Sequence, residues 1–75
     1  MDSLTIDQRR FFNVAVAAGF VSGAELVEIA TTRGDFALMA QDVLRLIPDP
    51  NEMSDEARGA FFEMGDMLDL IFEPT

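Results

Sequence analysis

Twenty residues near the end of the chain, SDEARGAFFEMGDMLDLIFE from Ser54 to Glu73, repeat their apolar side chains every three or four positions. That is the helical period. At about 100° per residue, Met53, Ala57, Ala60, Phe61, Met64, Met67, Leu68, Ile71 and Phe72 share one broad face. Asp55, Glu63, Asp66, Asp69 and Glu73 share the opposite arc. Ser54 is placed to cap this helix, Asp55 and Glu56 suit the positive end of its dipole, and Pro74 stops it. The rest of the chain is organised around this long element. Two large apolar residues, Phe62 and Leu70, break the pattern by falling inside the acidic arc.

Three shorter helices precede it. Thr5 and Gln8 spell a capping box for a helix over 6–18, ended by Gly19 in the left-handed region. Its apolar residues, Phe11, Phe12, Val14, Ala15, Val16 and Ala18, cover more than half the circumference, so it is either central in its bundle or half-covered by a second copy. Ser22 with Glu25 forms a second capping box, and Val21 with Leu26 fits a hydrophobic staple. The helix they start, 23–33, turns Leu26, Val27, Ile29 and Ala30 inward and ends at Arg33 with Gly34 as its C′ residue. Asp35 caps a third helix over 36–47. Its broad apolar face holds Phe36, Met39, Ala40, Val43, Leu44, Leu46 and Ile47; Gln41, Asp42 and Arg45 face out, with Leu38 among them. Pro48 closes that helix, because the residue before a proline is pushed out of the α region. Asp49-Pro50-Asn51 then makes a stiff turn into the final helix, 55–72. No stretch alternates with the period of a strand. The reading is an all-α bundle of four short helices joined by tight turns, one acidic domain over residues 1–75.

Composition narrows what such a bundle does. Hydrophobic residues are 49% of the chain, too many for disorder despite a net charge of −9. The chain holds no His, Cys, Lys, Tyr or Trp. A serine nucleophile lacks the base that would activate it, and zinc or copper lacks its nitrogen and sulfur ligands. The expectation is a non-enzyme with no catalytic residues, no metal and no cofactor. No apolar run approaches the ~18 residues of a membrane span, and the start MDSLTIDQRR has no secretory core, so a cytoplasmic location is expected. A strongly acidic domain is repelled by nucleic acid and by anionic membrane, so neither is an expected partner.

Two motifs fail on inspection. The helix pair joined at Gly34 has the outline of a helix-turn-helix, but its third helix carries a single Arg, Arg45, beside Asp35 and Asp42. Counting a calcium loop from Asp49 puts Ser54 at the sixth position and Ala60 at the twelfth, where glycine and glutamate are required. Charge is the remaining signal. Residues 1–48 carry six acids and four Arg, a net of −2; residues 49–75 carry eight acids and one Arg, a net of −7. Most of that charge surrounds Phe62, which also has Gly59 and Gly65 three residues to either side. Two glycines inside a helix are costly, and they suggest that something approaches the backbone there. Either another helix of the same fold packs on Phe62, or Phe62 is an exposed aromatic anchor ringed by carboxylates.

In size, helical character and acidity the chain resembles small inhibitor proteins of phages and mobile elements, anti-CRISPR and anti-restriction proteins among them. The resemblance covers no particular residue. It implies carboxylates presented to a surface built for nucleic acid. The expected function is therefore a non-enzymatic protein–protein interaction module. It would be an acidic inhibitor or adaptor that binds a basic protein surface through Asp55, Phe62, Glu63, Asp66, Asp69, Leu70 and Glu73. The alternative is a structural subunit that self-associates as a homodimer.

Overall fold

Local capping chemistry sets the element order. In the computed structural model, which describes residues 4–72, Thr5 accepts a hydrogen bond from the Gln8 amide at 3.1 Å while the Gln8 side chain accepts from the Thr5 amide at 3.0 Å. This reciprocal box starts α1, Ile6–Ala17. Ser22 and Glu25 repeat it at the head of α2, Gly23–Thr32. Asp35 caps α3, Phe36–Leu46, and Ser54 caps α4, Asp55–Ile71. A single 3₁₀ turn, Pro50–Glu52, lies between α3 and α4, with the Asp49 carboxylate accepting from the Asn51 amide. The described residues contain no strand. The architecture is all-α with four helices, and each helix ends one residue earlier than its sequence pattern suggests.

The helix ends differ in kind. α1 closes in a full Schellman motif: Gly19 takes φ 81°, its amide donates to the Val16 carbonyl, and the Phe20 amide reaches back to Ala15 at 3.0 Å. α2 does not end as the sequence suggests. Gly34 has no positive φ, and Arg33 is an extended C-cap with φ −107° and ψ 139°. Asp35 must begin the next helix one residue later, which leaves no room for a left-handed turn. Ile47 leaves the helical region, with ψ 129°, as Pro48 requires.

The core is built around phenylalanine and methionine. Phe11, Phe12 and Phe36 meet pairwise edge-to-face at centroid distances of 5.3 to 5.7 Å, an arrangement that matches positive ring edges to negative faces. Ala15, Phe20, Val21, Met39, Ala40, Val43, Met64 and Met67 complete the buried set. α1 packs chiefly on α4, and α2 on α3. The result is a flattened slab of 33 × 32 × 17 Å.

That thinness accounts for several residues the sequence places inward. Val27 is 66% exposed, and Leu44 and Leu46 lie only partly under cover. Phe72 is more than half exposed, although its ring tilts against Phe36 at 5.7 Å. Within one chain, α1 buries Phe11, Phe12 and Ala15 while Ile6 and Val16 reach solvent. Asp42, expected to face out, is half-buried. It accepts from Arg33 Nε at 2.8 Å and lies 3.7 Å from Arg45. This pair ties the end of α2 to α3.

Candidate partner-binding face

α4 carries the candidate face on one element. Its buried side, Met64 and Met67 with Ala57, Ala60, Phe61, Leu68 and Ile71 packed against them, fixes how the helix is rotated. The acidic arc must then point to solvent. Phe62 is 59% exposed and Leu70 67%. Glu63, Asp66 and Asp69 are exposed and, among the described residues, form no ion pair. Asp55 sits in the first turn, fully exposed, 2.9 Å from Arg58. Glu73 lies outside the described residues.

The ambiguity over Phe62 is resolved in geometry. Among the described residues Phe62 stays more than half exposed. A methyl group added at Gly59 or Gly65 would meet nothing within 4 Å, so the glycines do not admit an internal neighbour. Among the described residues the one aromatic ring that the Phe62 ring meets is that of its chain neighbour Phe61, tilted at 57° with centroids 5.8 Å apart. Phe61 turns into the core margin and Phe62 out of it. Such an aromatic, paired with one ring and more than half exposed, has the form of an interface anchor.

Arg58 is a site-adjacent residue that the sequence pattern does not single out. Its guanidinium donates to the Pro50 carbonyl at 3.1 Å, the Met53 carbonyl at 3.2 Å and Asp55 at 2.9 Å. It therefore staples the 3₁₀ turn to the first turns of α4. The signal for it was available: it is the one cation after residue 48, three positions from Asp55, a spacing that pairs on a helix. Since Arg58 is committed to this staple, it does little to neutralise Glu63, Asp66 and Asp69 farther along.

Beside this face lies an open furrow between α1 and α4. Val14, Ala17 and Ala18 form one wall, Ala57 and Ala60 the other, with Glu56 and Glu63 on the α4 side. Among the described residues no group of three carboxylates converges to hold a metal ion. The arrangement lends itself to apolar contact framed by negative charge.

No family model, curated protein or solved structure matches the chain. The functional reading therefore rests on the chemistry of this face.

Proposed function

We propose that the protein is a non-enzymatic interaction module, a small acidic inhibitor or adaptor that binds a protein partner through α4. The observation that carries this reading is Phe62, more than half exposed within an acidic arc whose Glu63, Asp66 and Asp69 form no ion pair among the described residues. An exposed aromatic supplies apolar contact area, and the surrounding field favours encounter with a basic surface and sets its orientation. A specialised form is an inhibitor from a phage or mobile element whose carboxylates occupy a groove made for nucleic acid. Affinity capture compares wild type with the Phe62→Ala/Leu70→Ala double variant. Loss of the same partners from a folded variant supports the site, and equal recovery overturns it. Complex formation that weakens steeply with salt supports the mimicking form, because exposed charges are screened within about 8 Å at physiological ionic strength.

A second reading is structural self-association. It is favoured by large apolar residues exposed away from α4, namely Ile6 on α1, Val27 on α2, and Leu38 and Leu46 on α3. Light scattering at tens of micromolar separates the two: a dimer supports this reading, and a monomer removes it.

A further inference from the structure

We infer that the partner element seated on α4 is a basic amphipathic α-helix that crosses close to the α4 backbone at Gly59, Phe62 and Gly65. The inference rests on the partner-binding reading above and specifies what is bound. Gly59, Phe62 and Gly65 are spaced three apart, so they lie along one of the two rows into which the side-chain ridges of another helix pack. Along that row the surface runs notch, knob, notch. Within its own fold the domain makes no use of the notches: neither glycine has a positive φ, and a methyl group at either would enter open space. Glycine weakens a helix interior, so two of them with no internal role fit a neighbour that comes in from outside. Small residues in such a row let two helix backbones approach closely.

The class of element follows from backbone chemistry. The middle of α4 has its amides and carbonyls bonded within the helix, so it offers no edge to an added strand. A packed helix needs no backbone bonds from its host. Its charge follows from the carboxylates. Asp66 and Glu63 flank the row, and Glu63 also lines the α1–α4 furrow together with Ala57, Ala60 and Glu56. That combination suits a long cationic side chain, whose aliphatic stem lies on apolar surface while its head reaches the acid. A second copy of this chain is a poor source of such charge. Three of its five arginines, Arg33, Arg45 and Arg58, are already in internal ion pairs, and each copy carries a net charge of −9.

The test uses two labelled synthetic peptides of identical Arg, Leu and Ala composition. One is arranged with its leucines on a single helical face; the other is a permutation that scatters them. Fluorescence anisotropy at low ionic strength measures binding to wild type, Phe62→Ala and Gly59→Ala/Gly65→Ala, and thermal unfolding is recorded for each. The expected result is preferential binding of the amphipathic peptide. The glycine double variant should bind at least tenfold more weakly although it melts at a higher temperature than wild type. Unchanged affinity in that variant overturns the close helix crossing; if Phe62→Ala nonetheless loses binding, the partner-binding reading survives alone. Unchanged affinity in Phe62→Ala overturns both. Equal binding of the two peptides, or of neither, overturns the helical occupant. A wild-type dimer dispersed by the glycine substitutions assigns the face to a second copy and also overturns it.

Discussion

At the scale of single residues, α4 separates stability from recognition, and substitution reads that separation directly. Met64 is fully buried among the core side chains, so Met64→Ala is expected to cost about 2–5 kcal/mol in denaturant unfolding. Phe62, two positions away, leaves little behind when truncated. Phe62→Ala is expected to stay within about 0.5 kcal/mol of wild type. Gly59→Ala and Gly65→Ala move the other way, each stabilising by about 1 kcal/mol because the added methyl meets no atom and the unfolded chain loses freedom. In a domain this small such a gain raises the melting temperature by about 4–8 °C. The existence of Phe62 and its acidic ring was legible in the sequence. Its exposure was not, because helical period says which residues share a side and not what the rest of the fold lays over that side.

At the scale of elements, the starts of helices were far more legible than their ends. Thr5, Ser22, Asp35 and Ser54 act within three residues of themselves, and all four accept the amide bonds that their positions imply. Ser22→Ala is expected to cost about 0.5–2 kcal/mol, measured by thermal unfolding, since it leaves the Glu25 amide without its partner. Gly34 shows where local reading stops: a glycine after Arg33 has the signature of a left-handed cap, yet the nearness of Asp35 makes the chain extend instead. The link into α4 depends on Arg58, whose role involves the Pro50 carbonyl eight positions back. Arg58→Met keeps the aliphatic stem and removes the donors. Its expected effect is a loss of about 1–3 kcal/mol, with faster amide exchange over residues 50–57 than in α2.

At the scale of the whole molecule, two helix pairs in a slab 17 Å thick leave much apolar surface outside the core. Mean hydrophobic content therefore overstated burial: Val27, Leu38 and Leu46 count towards the 49% but cover little. Charge works against joining two such slabs, because like charges of −9 repel. Under the partner-binding reading, sedimentation in low salt should give the mass of one chain. Added salt should weaken a basic partner's hold on α4 by screening Glu63, Asp66 and Asp69.

The sequence by itself determined the four helices, their N-terminal caps, the residues on the apolar side of α4 and the concentration of acid on its other side. These follow from the helical period and from hydrogen bonds between near neighbours. Only the tertiary structure decided which apolar residues the core keeps, that Asp42 faces Arg33 instead of solvent, and that Phe62 stays more than half exposed. Burial depends on which helices become neighbours, and that choice is made by side chains far apart in the chain.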